Sequence, residues 1–182
     1  MSEATVKKEP GTATLVLVLF AISAVVALLL GVTNMVTKPF IDENARKAQE
    51  KAMQEVLPSD TYEQLSYTGG DGTVDAIYSA GDAGYVVQVT PATSFSGTLS
   101  VMVGVDPDGA CTGISIVATG ETSGLGSNAS KPVFKDQFPG VSGTVNVTKD
   151  GGAINAITGA TITSRGVCEA VTSALAAAAS MG

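Results

Sequence analysis

The chain has 182 residues, a formal net charge of −7 and no histidine. With a pI near 4.4, it lacks the basic surface that nucleic acid requires, and without histidine it can build neither a Ser-His-Asp or Cys-His catalytic set nor a histidine-ligated metal site. Its two cysteines, Cys111 and Cys168, lie far apart; they cannot hold an iron–sulfur cluster by themselves and are read as buried free thiols, although their spacing leaves pairing open.

In chain order, residues 1–11 are polar, include Lys7 and Lys8, and are read as a cytoplasmic tail. Between Pro10 and Thr37 there is no charged residue. This apolar run is long enough to cross a bilayer as a helix, placed at residues 12–34. A cleaved signal peptide would have a shorter apolar core and a small-residue site behind it. A lipoprotein signal would need a cysteine there. An uncleaved anchor is therefore expected. Positive charges do not set its direction, because Lys38, Arg46, Lys47 and Lys51 follow the span.

Residues 35–58 read as a helical stalk. Pro39 suits a helix first turn. Ile41, Ala45, Ala48, Ala52 and Val56 form one stripe, and Pro58 ends the pattern. A domain is expected over residues 59–182. Val74–Ser79 and Tyr85–Thr90 read as one hairpin, Leu99–Val105 and Cys111–Thr119 as another, and Thr144–Thr148 as a further strand. With a helix covering one face, these elements predict an α+β domain built on an antiparallel sheet.

Two stretches carry chemistry. The first is Glu121-Thr122-Ser123-Gly124-Leu125-Gly126, whose glycines allow positive φ and close backbone approach. No lysine follows in phosphate-loop spacing, so alone it is only a loop. The second is Thr158-Gly159-Ala160-Thr161-Ile162-Thr163-Ser164-Arg165. Val167, Val171, Ala174, Leu175 and Ala178 follow it on one helix face, so this hydroxyl-rich segment stands at a helix start. There it can cap the helix through Thr163 or Ser164, or hold an anion on the free N–H groups.

The second stretch closely resembles the flavinylation motif of RnfG, the FMN-binding component of the Rnf complex, and of the related NqrC component of the sodium-pumping NADH:quinone oxidoreductase. The Glu121–Gly126 loop is similar to the Glu-Thr-Pro-Gly-Leu-Gly loop of RnfG proteins, with Ser123 in place of Pro. The segment Phe134–Gly140 and the stalk with its Asn34–Ile41 entry are similar as well. One departure is Asn155, where the family pattern usually has Asp.

The resemblance implies an FMN-binding domain with FMN attached through its phosphate to Thr161. Thr158, Gly159, Ala160, Thr163, Ser164 and Arg165, together with Glu121, Thr122, Gly124, Leu125 and Gly126, are implied cofactor-binding residues, with Arg165 available to the phosphate charge. It also implies partner membrane proteins of an Rnf-type complex, an extracytoplasmic domain, and a flavin transferase that uses FAD and Mg²⁺. The complex it points to couples electron transfer between ferredoxin and NAD⁺ to sodium or proton movement. A threonine hydroxyl needs a base to become a nucleophile, and none adjoins Thr161, so Thr161 is read as an attachment point. Two other readings are an FMN-domain protein of extracellular electron transfer and a cofactor-free, membrane-anchored structural module. The second leaves both motifs as coincidences.

Overall fold

The computed structural model describes residues 11–95 and 97–181. The tail read over residues 1–11 lies, apart from Gly11, outside them. The chain divides into two units, one ending at Arg46 and one running from Lys47 to the C-terminus.

Helix α1 runs over Thr12–Val56, with Pro39 inside it. The expected break before Pro39 is absent. An interior proline removes one backbone hydrogen bond and strains the preceding turn, and long, strongly helix-forming flanks offset a single loss of that kind. In the first unit α1 is long and apolar enough to cross a membrane, and its most apolar window buries nothing within the protein. Leu15 to Leu30 exposes apolar side chains around the whole helix, the pattern of a segment whose solvent is lipid. Toward the end of this unit, Arg46 grips Glu43 at 3.0 Å.

The second unit begins within the segment read as a stalk. It contains a five-stranded antiparallel meander, β1 (Glu63–Leu65), β2 (Val74–Ser79), β3 (Tyr85–Val89), β4 (Ser100–Val105) and β5 (Cys111–Ala118), in that spatial order. The two expected hairpins are present, in registers such as Ile77↔Val87 and Val103↔Ile114. β1 is additional; three residues of Glu-Gln-Leu give no alternation to recognise. Thr144–Thr148 is not a strand. It contributes one parallel bridge, Val147↔Ile154, and then turns through a 3₁₀ segment, Thr148–Asp150.

Both faces of the sheet are covered, not one. The first is covered by two helices, α2 (Pro132–Lys135) and α3 (Thr161–Ala179). α3 lays Val167, Val171, Ala174, Leu175 and Ala178 over Ile77, Val87, Val101 and Val103. The short helix α2 adds Phe134, whose ring meets Phe138 edge-on at 5.3 Å. On the second face, Ala52, Met53 and Val56 of α1 pack with Leu57 on Val86 and Met102. Gly104 makes this approach possible: a Cβ there would stand 2.5 Å from the Val56 carbonyl oxygen. Thr112 Oγ1 donates to that same oxygen, and Glu55 accepts from Ser115 and pairs with Lys135. The Lys135 ammonium holds the Glu55 carboxyl below its ordinary value.

Cys111 and Cys168 are free and buried, as expected. Desolvation pushes both thiols up to about 12, so neither supplies a reactive thiolate.

Helix α3 is seated by Gly166. A Cβ at that position would collide with the Thr93 carbonyl oxygen. Glu169, one turn on, accepts from the Ala92 and Thr93 N–H groups at 2.9 and 3.1 Å. In an open helix Gly→Ala is stabilising by up to about 1 kcal/mol. Here overpacking outweighs propensity, and Gly166→Ala is expected to lower the thermal midpoint by roughly 4–10 °C. Circular dichroism melting of the solubilised chain checks the sign.

Candidate functional site

Two loops meet over the start of α3. In the first, the Leu125 N–H donates to the Thr122 carbonyl at 3.1 Å, with Gly124 third in the turn at φ 77°. In the second, the Ala160 N–H donates to the Ile157 carbonyl at 3.0 Å, with Gly159 third in the turn, also at φ 77°. A positive φ at this position is what a type II turn demands of glycine. The second position of such a turn favours proline, and in the first loop it holds Ser123. Proline's preset φ is a convenience there and not a requirement, so Ser123 leaves the loop shape intact. The loop is tightened further by Gly124 N–H donating to Ser127 Oγ at 2.9 Å and Asn128 Nδ2 donating to the Gly124 carbonyl at 2.8 Å.

A buried carboxyl joins the two loops. Glu121 is 7% exposed and Thr163 is 2% exposed. Thr163 Oγ1 donates to Glu121 Oε2 at 2.5 Å, and the Phe95 N–H donates to Glu121 Oε1 at 3.1 Å. Gly126 has no room for a side chain, since a Cβ would come 2.8 Å from Thr163 Oγ1. A Cβ on Gly159 would likewise come 3.1 Å from Leu125 Cδ2.

Between the loops lies a cleft of about 470 Å³, lined by Phe95, Glu121, Thr122, Leu125, Gly126, Lys149 and residues 159–163. That volume is in the range of small-molecule sites, about 300–1,000 Å³. Phe95, Leu125 and Ile162 are 67%, 44% and 47% exposed and give the mouth an apolar rim. Thr161 is the first residue of α3 and is half-buried. Ala160 occupies the cap position and offers no side-chain acceptor. The first N–H groups of the helix thus lack the oxygen that Ser, Thr or Asp would supply.

Eight of the residues expected from the sequence line this cleft: Glu121, Thr122, Leu125, Gly126, Gly159, Ala160, Thr161 and Thr163. Four do not. Gly124 shapes the loop from outside. Thr158 is exposed and lines a separate groove with Asn155, Phe134 and Gln137. Ser164 is fully buried; it donates to the Ala160 carbonyl at 3.0 Å and accepts from the Ile157 N–H at 2.9 Å, clasping the turn to the helix. Arg165 points the other way, bound to Asp150 through Nε at 2.7 Å and Nη2 at 2.8 Å. That contact holds Asp150 below the usual carboxylate range.

Three expectations are therefore corrected. Neither Thr163 nor Ser164 caps α3, because the helix begins two and three residues earlier and both hydroxyls are turned into buried contacts. Arg165 is engaged by Asp150 on a different surface from the cleft, one helical step being enough to change sides. The cation beside Thr161 is instead Lys149, whose Nζ lies 3.4 Å from Thr161 Oγ1. Phe95, Lys149 and Ile162 were missed as lining residues. Lys149 sits in a Lys-Asp-Gly-Gly run that reads as an ordinary turn, and only chain closure brings it to Thr161. Asn155, at the departure from the family pattern, exchanges backbone hydrogen bonds with the Gln137 side chain, at 2.7 and 3.4 Å.

A family model described as FMN-binding domain matches residues 94–176, and one described as RnfG N-terminal region matches residues 12–56. The first range contains every residue that lines the cleft. Among individual relatives, the G component of the Na(+)-translocating ferredoxin:NAD(+) oxidoreductase complex of Acetobacterium woodii is 37% identical over 178 residues, covering 85% of this chain and 86% of that one. The G component of the ion-translocating oxidoreductase complex of Methanosarcina acetivorans is 32% identical, with 88% and 90% covered. Its counterpart in Aliivibrio fischeri is 30% identical, with 86% and 84% covered.

The Glu121–Thr163 contact yields a test independent of any ligand. Removing one partner from a buried hydrogen bond costs about 1–3 kcal/mol. Thr163→Val and Glu121→Gln are each expected to destabilise by that order. Combined, they should cost less than their sum, with a coupling of about 1–2 kcal/mol. Denaturant titration of the four proteins measures it; strict additivity would mean the two side chains do not depend on each other.

Proposed function

The chain belongs to the RnfG family of ion-translocating oxidoreductase complexes, and from that premise we propose that it is the membrane-anchored electron-transfer component of a ferredoxin:NAD oxidoreductase, with FMN attached as a phosphoester to Thr161. The observation that carries this reading is the cleft itself, which sets the Thr161 hydroxyl at a helix start between an ammonium and an apolar rim. The donor set fits the group. Thr161, Lys149 and the uncapped N–H groups suit a phosphate, and Phe95, Leu125 and Ile162 suit a planar apolar ring.

FMN, when bound, supplies one- and two-electron redox chemistry. The chain's own residues supply position and electrostatics. Glu121 and Thr163 lock the loop onto α3, so the wall of the cleft does not have to be organised at the moment of binding. Competing hydroxyls are accounted for: Ser164 is committed to backbone partners, Thr163 to Glu121, and Thr158 lines another groove. Of the four hydroxyls in the Thr158–Arg165 motif, Thr161 is the one left as the acceptor.

Among the described residues, the side chain beside the Thr161 hydroxyl is the Lys149 ammonium, a donor and not a base, and Glu121 accepts from Thr163 and Phe95. Attachment is read as the work of a separate flavin transferase, which the family resemblance implies uses FAD and Mg²⁺. Ion movement belongs to partner membrane proteins of the complex, since the span carries no Asp, Glu, Lys or Arg between Pro10 and Thr37. The domain that follows α1 is read as extracytoplasmic, with electrons received and passed on there.

Thr161→Val is expected to abolish covalent flavin when the chain is coexpressed with the transferase. It should leave the thermal midpoint of the unmodified chain within about 2 °C. In-gel flavin fluorescence and peptide mass mapping read the result; flavin mass on Thr158, Thr163 or Ser164 would overturn the assignment. For topology, protease added to right-side-out vesicles should digest the domain, and complete protection would reverse the orientation.

A further inference from the structure

We propose that Lys149 is the positioning residue for the phosphate on Thr161, its ammonium holding the charge that attachment leaves there. The proposal rests on the reading that Thr161 carries the flavin. It starts from a polar side-chain contact of Thr161 Oγ1, the 3.4 Å approach of Lys149 Nζ.

The lysine is delivered by a turn with little freedom. The Thr148 N–H donates to the Ile154 carbonyl at 2.8 Å, and the Ile154 N–H to the Asn146 carbonyl at 3.2 Å. The Gly152 N–H donates to the Val147 carbonyl at 3.0 Å, and Gly151 closes the 3₁₀ segment at φ 82°. Gly152 is pressed so close that a Cβ would collide with the Asn146 carbonyl oxygen. This turn sends two consecutive side chains to opposite places: Asp150 goes to Arg165, and Lys149 goes to Thr161.

Charge then decides what Lys149 is for. Among the described residues lining the cleft, Glu121 and Lys149 are the ionisable pair. Glu121 faces the backbone and Thr163, and the chain as a whole carries −7. Lys149 is thus the cationic side chain among the described residues lining the cleft. A phosphodiester keeps one negative charge, and Lys149, 3.4 Å from Thr161 Oγ1, offsets it. Lysine suits the task because its ammonium is a point charge with rotatable donors on a flexible stem. It can follow the oxygen from hydroxyl to ester, while the arginine nearby stays locked to its carboxylate.

The test uses the full chain, solubilised, produced with and without the flavin transferase. Covalent flavin is first mapped in the parent. Then the rise in thermal midpoint on flavin attachment is measured for the parent, Lys149→Gln and Lys149→Arg. The rise is expected to be smaller in Lys149→Gln by roughly 2–4 °C, restored in Lys149→Arg, and less salt-sensitive in the Gln variant. The three unmodified proteins should melt alike. An equal rise in all three, with flavin mapped to Thr161, would overturn the role of Lys149 and leave the attachment reading intact. Absence of flavin from Thr161 in the parent would overturn the attachment reading, and Lys149 with it. If Lys149→Gln fails to accept flavin at all, rescue by Lys149→Arg supports the charge; failure of that rescue contradicts it.

Discussion

The site depends on a carboxyl buried between two loops. Glu121 takes a hydrogen bond from Thr163 on one oxygen and from the Phe95 N–H on the other. Through these contacts it fastens three segments distant in sequence: the glycine-rich loop, the start of α3 and the strand connection at residue 95. A buried carboxyl without donors would be costly, so the contact is also demanding. If the loop shifts, both oxygens lose these donors together. The shape of the cleft is thus a consequence of satisfying one polar group.

Rigid neighbours make that satisfaction possible. α3 is held down by its apolar stripe and by Gly166 against the Thr93 carbonyl. The sheet beneath it is held from the other side by the last turns of α1. Each loop is then closed by a turn with glycine third. At the mouth, the rim of Phe95, Leu125 and Ile162 remains exposed. A packed base with an apolar, open edge is the form expected of a site that holds a cofactor and still exchanges electrons with partners.

Much of this was legible in the sequence. The alternation of Val101, Val103 and Val105 announced β4, and the Val167–Ala178 stripe announced the buried face of α3. The two motifs announced the cleft, because each was recognisable as a unit. What stayed hidden was relational. Thr163 looked like a cap because a hydroxyl at a helix start usually is one; nothing local revealed the carboxyl 42 residues away that accepts its hydrogen bond. Arg165 looked like a phosphate ligand until Asp150 was found beside it. Lys149 gave no signal, since its turn looks ordinary until the parallel bridge at Val147 folds it back. Pro39 looked like a boundary, yet the helix continues through it. Helix and strand patterns are carried by neighbours in sequence, and the partners of Thr163, Arg165 and Lys149 are not.

The central claim is that the cleft between Glu121–Gly126 and the start of α3 houses the flavin on Thr161. A density map of the chain matured with its flavin, by electron microscopy or crystallography, tests it most directly. The account predicts continuous density from Thr161 Oγ1 into a phosphate beside Lys149, with the ring against Leu125, Ile162 and Phe95. Density rising from another hydroxyl, or a ring lying outside this cleft, would contradict it.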